Sequence, residues 1–194
     1  YKPDRLHWIQ HSQIPGPKYI ANSSVSWTQS PFSGGERAGH ISINTFGSRL
    51  AIGAPGKKWN GNSGRVRILQ LLDNGEWMQL GQDIVGDNDE TGENLELNRD
   101  GNFLVLGSGG AINSQGIVKV YLFHQYFGEN WNQIGNTFMG ESYSRLGNRN
   151  TPNGAVCING KGNIIFATKR NGISPYNEYI ASIADPGMNR KGYV

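Results

Sequence analysis

Apolar and polar residues alternate along this chain in short bursts, and the bursts come in a repeating order. Ile41-Ser-Ile43, Leu95-Glu-Leu97 and Val156-Cys-Ile158 each have the two-residue period of a strand that buries one face. Each is followed by an asparagine and then a glycine: Asn44 and Gly47, Asn98 and Gly101, Asn159 and Gly162. Glycine there suits a turn that needs positive φ. The next bursts, Leu50-Ala-Ile52, Phe103-Leu-Val-Leu106 and Ile164-Ile-Phe-Ala167, do not alternate. Apolar on both sides, they predict strands covered on both faces. Alternation returns in Val66 and Ile68 against Arg65 and Arg67, and in Val118 and Val120 against Lys119 and Tyr121. Tyr179-Ile-Ala-Ser-Ile183 is a degenerate third copy. Last comes Trp77-x-Gln79-x-Gly81-x-x-Ile84-x-Gly86, answered by Trp131-x-Gln133-x-Gly135-x-x-Phe138-x-Gly140.

Self-similarity at this spacing decides the architecture before any single residue does. Each unit is expected to be four short antiparallel strands with a doubly buried middle. The units run approximately over 39–86, 92–140 and 155–194 of a single repeat domain, with 1–38 supplying a closing strand and irregular loops. Burial on both faces of every sheet fits radial stacking of four-stranded blades, whereas a two-sheet sandwich leaves one face of each sheet wet. The fold class expected is therefore all-β, a β-propeller-like array of about three blades, or an arc of a larger propeller. No segment has a helical period. The phase leaves a fourth strand too many at the start and one too few at the end. Either Trp8 or Trp27 carries the surplus strand. That strand is expected to pair with the sheet built from 155–183, unless another chain caps its edge. Trp77 and Trp131 are expected in equivalent outer strands of successive sheets, with Gln79 and Gln133 in matching places.

The unit Gly-x-Val-x-Val-Tyr, Trp-x-Gln-x-Gly-x-x-Ile-x-Gly, Leu-x-Leu-x-x-Asp-Gly resembles the FG-GAP-like repeats that form the blades of integrin-α-type β-propellers. Leu50-Ala-Ile-Gly-Ala-Pro55 matches the Gly-Ala-Pro element of those repeats, and Gly107-Ser-Gly109 is a weaker copy. The resemblance covers residues 39–140 best; in the third unit Ala167-Thr-Lys-Arg170 replaces the element, and Glu141–Gly154 is an added loop. It implies a non-catalytic binding or structural module, acting in adhesion or as a scaffold subunit of an extracellular or cell-surface assembly. It implies a protein or glycan ligand taken through the loops, and calcium as a cofactor. Calcium loops of such blades set oxygen ligands at alternate positions before a glycine, so that a hard cation meets several oxygens together. Asp87, Asp89 and Thr91 hold those positions here and Gly92 the bend, while Leu95 stands where a late acidic ligand belongs. The corresponding loops, Gly35–Gly39 and Tyr143–Gly147, are not acidic. A solvated polar turn is the competing reading.

Charge and composition narrow the choices further. Only 17% of residues are charged and the net charge is +3, with Lys and Arg scattered, so nucleic acid is not favoured as a partner. No apolar run is long enough for a membrane span. Tyr1 stands where a start methionine would, which suggests a processed product or a piece of something longer, and the incomplete unit count fits part of a larger chain or assembly. One cysteine, Cys157, excludes an internal disulfide; it points opposite Val156 and Ile158, and no histidine accompanies it. His7, His11, His40 and His124 form no zinc pattern. The Trp-x-Gln residues could stack on sugars, yet one aromatic per unit at a fixed place is what a repeated structural contact requires. Asn22-Ser-Ser24 is a glycosylation sequon if the chain is secreted. The alternative function is a glycan-binding lectin or a glycan-active propeller enzyme. The enzyme would need acids converging from several units, and Asp87, Asp89, Glu90 and Glu93 come from one loop.

Overall fold

The computed structural model describes residues 40–55, 63–86, 90–124, 128–148, 156–170 and 179–184. These residues are all-β and form three antiparallel sheets, each with its strands in chain order. Sheet 1 holds β1 (Ile41–Ile43), β2 (Arg49–Ala54), β3 (Arg65–Leu71) and, both paired with β3, β4 (Trp77–Gln79) and β5 (Ile84–Val85). Sheet 2 holds β6 (Asn94–Leu97), β7 (Phe103–Ser108), β8 (Ile117–His124) and β9 (Asn130–Met139). Sheet 3 holds β10 (Val156–Ile158), β11 (Ile165–Arg170) and β12 (Tyr179–Ala184). Trp8 and Trp27, and with them the expected closing strand, lie outside the described residues.

Three asparagines make the same turn. Asn44 Oδ1 accepts the N–H groups of Ser48 and Arg49, both at 2.9 Å. Asn98 Oδ1 accepts that of Phe103 at 2.9 Å, and Asn159 Oδ1 those of Asn163 and Ile164 at 3.0 and 3.1 Å. Gly47, Gly101 and Gly162 follow at φ of 67°, 72° and 77°, as the spacing predicted. The turns also join the sheets: Thr45 N–H donates to the Arg99 carbonyl (3.1 Å), and Asn98 Nδ2 to the Gly160 carbonyl (3.1 Å).

The tryptophan motif is a bulge with its own internal bonds. Trp77 is paired with Leu71 and Trp131 with Phe123, on the outer strands of sheets 1 and 2, and Gln79 and Gln133 fall opposite Leu69 and Tyr121. Past each glutamine, three residues oppose one on the neighbouring strand: Gly81 to Asp83 face Arg67, and Gly135 to Thr137 face Lys119. The glycines take φ of 73° and 64° at the same point of the two bulges. Gln79 Nε2 donates to Asp83 Oδ1 and Gln133 Nε2 to Thr137 Oγ1, each at 3.1 Å. In sheet 1 the opposing Arg67, buried, grips Asp83 through two bonds of 2.7 and 2.6 Å.

Sheet 2 lies between the other two. Its one face carries Leu95, Leu97, Leu104, Leu106, Phe123 and Trp131 into a core shared with Ala51, Val66, Ile68 and Ile84 of sheet 1. Its other face packs Val105, Val118 and Val120 on Val156, Ile158, Ile165 and Ala167 of sheet 3. Trp131 is 2% exposed; its indole donates to the Leu80 carbonyl (3.0 Å), while Gln82 bonds both its N–H and its carbonyl. That burial excludes sugar stacking for Trp131 and leaves the structural contact.

At each junction between sheets, glycine lies directly on glycine. A Cβ added to Gly53 in β2 would lie 2.1 Å from the Gly92 carbonyl oxygen; one added to Gly107 in β7 would lie 2.5 Å from that of Gly147. Gly53 and Gly107 hold one repeat position, and Gly92 and Gly147, at φ of 92° and 76°, hold its counterpart. The first strands of sheets 2 and 3 are satisfied at their edges by side chains of the preceding sheet. Ser42 Oγ accepts the Leu97 N–H (3.0 Å), and the Glu96 carboxylate accepts that of Ile158. His40 Nδ1 bonds the Leu95 carbonyl at 2.9 Å.

Two expectations need correction. Ile164–Ala167 is not covered on both faces: Phe166 is 37% exposed, because among the described residues no sheet lies beyond sheet 3. Ile41 and Ile43 are not a buried face either, at 63% and 57% exposure, whereas their counterparts Leu95 and Leu97 are at 0% and 5%. The same reason applies: sheet 1 covers β6, and no described sheet covers β1.

Gly53→Ala and Gly107→Ala should each cost about 2 kcal/mol or more in urea unfolding, since backbone must move to admit the methyl group. Gly47→Ala, with open space around it but φ of 67°, should cost only about 1 kcal/mol.

Burial holds the Glu96 carboxyl above its ordinary value, against the Ile158 N–H and the charge of His40. Folded protein thus keeps a proton that the unfolded chain has lost. The stability this lends is complete below the ordinary carboxylate range and fades as pH climbs through the raised value. Thermal unfolding across that climb should show the loss in the native chain and not in Glu96→Gln, whose amide oxygen still accepts from Ile158. Glu96→Ala removes the acceptor and should cost about 1 kcal/mol even at low pH.

Candidate functional site

The two ends of the sheets differ in kind. One end carries the tight asparagine turns. At the other, the described parts of the connections β5–β6, β7–β8 and β9–β10 meet: Glu90 lies against Gly110, Thr91 against Ser108, and Ser144 bonds Gln115. Between β7 and β8 the chain makes one left-handed turn: Ile112 (φ 48°, ψ 62°), Asn113 (φ 54°, ψ 40°) and Ser114 (φ 69°), closed by Gly116 (φ 78°). Each such residue other than glycine costs about 1–2 kcal/mol against an ordinary conformation, and a β-branched one is the hardest to hold. The neighbouring loop adds Tyr143 (φ 60°) and Arg145 (φ 48°).

Bonds between the two loops hold this strain. Gln115 and Gly116 N–H donate back to Ile112 and Ala111, both at 3.1 Å. The Ser144 hydroxyl and the Leu146 N–H both donate to the Gln115 carbonyl at 2.9 Å, and Arg145 N–H to that of Ser114 at 3.0 Å. Leu146 is buried in the core between sheets 2 and 3, which anchors the pair. Ser108, Ser144 and Asn148 are buried beneath it. Among the exposed side chains, beside Asn113, Glu141 and Ser142, are Ile112 at 48% exposure, Tyr143 at 69%, and Arg145. A phenol and a guanidinium on a pre-formed surface are among the groups that carry most binding energy at interfaces. Little ordering entropy is left to lose on binding. In the sequence these residues belong to nothing more distinctive than the added loop Glu141–Gly154 and the stretch after Gly109-Gly110, the one local signal of a turn.

Of the three expected calcium ligands, Asp87 and Asp89 lie outside the described residues. Thr91 is buried, its hydroxyl 3.4 Å from that of Ser108 at the end of β7. One hydroxyl so placed supplies a single oxygen of the six to eight that calcium takes. Glu90, at φ 54°, lays its carboxylate against Gly110, where an added Cβ would come within 2.3 Å. Among the described residues no three His, Cys, Asp or Glu side chains group to hold a metal. Asn94, which holds the repeat position of His40, is buried with both side-chain polar atoms unpartnered. Cys157 does point away from Val156 and Ile158, and is exposed. Burial, and then the Glu96 charge, push its thiol above the ordinary value, which makes it a poor nucleophile at neutral pH. His7, His11 and the Asn22 sequon lie outside the described residues. No helix among the described residues is long and apolar enough to cross a membrane.

No protein-family model and no curated protein matches this chain. Among solved structures it is similar to the hydrazine synthase of Kuenenia stuttgartiensis, at 13% identity and a TM-score of 0.45. The likeness covers 77% of this chain, which spans less than half of that one, at 45%. A likeness of that size says nothing about what this chain does.

Ile112→Gly should relieve the left-handed strain and raise stability by about 1 kcal/mol in thermal or urea unfolding. A loss of stability would show that the Ile112 side chain anchors the loop rather than standing free of it.

Proposed function

We propose that this chain is a non-catalytic binding module, its sheets the blades of a β-propeller-like array of the FG-GAP-like kind that its sequence resembles. It acts in adhesion or as a scaffold subunit outside the cell. It takes a protein or glycan ligand on the loop face that presents Ile112, Tyr143 and Arg145. The observation that carries this reading is the cost of that face. Five residues other than glycine are held at positive φ in two adjoining loops, from Ile112 to Ser114 and at Tyr143 and Arg145. Strain of that kind persists only where surrounding structure imposes it, and it gathers at functional sites. The blade reading is supported by the repeated glycine contact and by first strands that neighbour one another across successive sheets. The chemistry of the face suits recognition: an aromatic plane for a sugar ring or an apolar side chain, and a guanidinium for a carboxylate.

The test is binding to a glycan array and to extracellular matrix proteins, with a hydrolysis assay run on the same glycans. Tyr143→Ala and Arg145→Ala should each weaken the best binder tenfold or more at an unchanged melting temperature. Turnover of any glycan would replace this reading with the enzyme. Binding that both variants leave intact would move the site elsewhere.

A further inference from the structure

The two junctions between sheets use the same repeat positions with side chains of different reach. In an antiparallel pair, residues bonded to the neighbouring strand alternate with residues whose N–H and C=O point off the edge. Asn98 and Asn159 N–H bond the Phe103 and Ile164 carbonyls across their sheets. Leu95 and Leu97 in β6, and Val156 and Ile158 in β10, are therefore the residues whose backbone groups face off the edge. The preceding sheet meets those groups with two side chains set two residues apart. In the first junction they are His40, whose Nδ1 bonds the Leu95 carbonyl at 2.9 Å, and Ser42, whose Oγ accepts the Leu97 N–H at 3.0 Å.

In the second junction Asn94 and Glu96 hold those two positions, and Val156 and Ile158 hold the positions of Leu95 and Leu97. The Glu96 carboxylate completes its half by accepting the Ile158 N–H. Asn94 does not complete the other. It is 1% exposed, and neither its Oδ1 nor its Nδ2 has a hydrogen-bond partner. Reach accounts for the difference. A serine oxygen stands one bond beyond Cβ and a glutamate oxygen three, so β10 lies farther from β6 than β6 does from β1. The glycine contact loosens in the same direction, from 2.1 Å at Gly53 to 2.5 Å at Gly107. The polar atoms of Asn94 stand two bonds beyond Cβ, as does His40 Nδ1. A length that suffices across the narrower gap falls short across the wider one. Asn94 nonetheless adjoins Val156 through Gly107: it pairs with Gly107, and a Cβ built there would lie 3.0 Å from Val156 Cγ1.

We propose that an ordered water molecule bridges the Asn94 amide and the Val156 backbone and is a built-in part of the junction between sheets 2 and 3. The chemistry selects the occupant. A buried amide offers one acceptor and one donor, so its partner must donate and accept, which a bare cation or anion does not do. At 1% exposure that partner must also be small. Buried waters of this kind take two to four hydrogen bonds from groups that protein alone leaves unsatisfied. The amide oxygen and nitrogen of Asn94, with the carbonyl and N–H of Val156, supply such a set. The water does at the second junction what the His40 imidazole does at the first. This site is separate from the loop face and does not depend on its ligand.

A crystal structure of the native chain at a resolution that shows waters tests this directly. One water should lie roughly 2.7–3.2 Å from an Asn94 amide atom and from a Val156 backbone atom. An Asn94 amide bonded directly to protein, or no water between it and Val156, overturns the proposal. Asn94→Leu keeps the volume, discards both polar atoms and separates a held amide from an orphaned one by sign. It should lower the melting temperature by about 3 °C or more, because the water and Val156 lose a partner. A rise would mean that the amide has no partner in solution either, and the proposal would fall. Should the variant not fold, the native crystal decides alone.

Discussion

The structure depends on one contact made twice, in which the backbone of one sheet rests directly on the backbone of the next. Gly53 meets Gly92 and Gly107 meets Gly147, too close for any side chain at the first member of each pair. That approach fixes how near two sheets can come. Nearness in turn lets Ser42 and Glu96 reach the edge N–H groups of the following first strand. An edge strand in the middle of a stack cannot leave those groups unpaired. The apolar layers between sheets, with Trp131 locked to the Leu80 carbonyl, then fill a gap whose width is already set.

From that contact the loop end follows. Gly92 and Gly147 each close a connection between sheets, so the loops leading into them are drawn to the same end of the molecule. The β9–β10 loop passes over the β7–β8 loop to reach Gly147 and bonds it at Ser114 and Gln115 on the way. This is what lets a left-handed turn containing isoleucine persist. The stress is local, and the packing that opposes it belongs to the core between sheets 2 and 3.

Much of this was written in the repeat. The asparagine turns, the outer place of Trp77 and Trp131 and the matching of Gln79 with Gln133 could be read because each is fixed by neighbours in sequence. What the motif is for could not be read, since a bulge shows itself only when its partner strand is in place. Burial was misjudged at Ile41, Ile43 and Phe166 because pattern reports which face is apolar, not whether anything covers it. Ser42 and Glu96 read as the wet side of a strand, and their role belongs to a residue of another unit. The strained loop had no pattern to read: isoleucine is a poor left-handed residue, and tertiary contacts alone put it there.

The central claim is the direct contact of successive sheets at their glycines, and a double-mutant cycle measures it. Gly53→Ala and Gly92→Ala share one contact, so their effects on unfolding free energy should depart from additivity by about 1 kcal/mol or more. Gly53→Ala and Gly147→Ala belong to different junctions and should add within about 0.5 kcal/mol. Strict additivity of the first pair would mean that the two glycines do not meet, and the stacking described would be wrong.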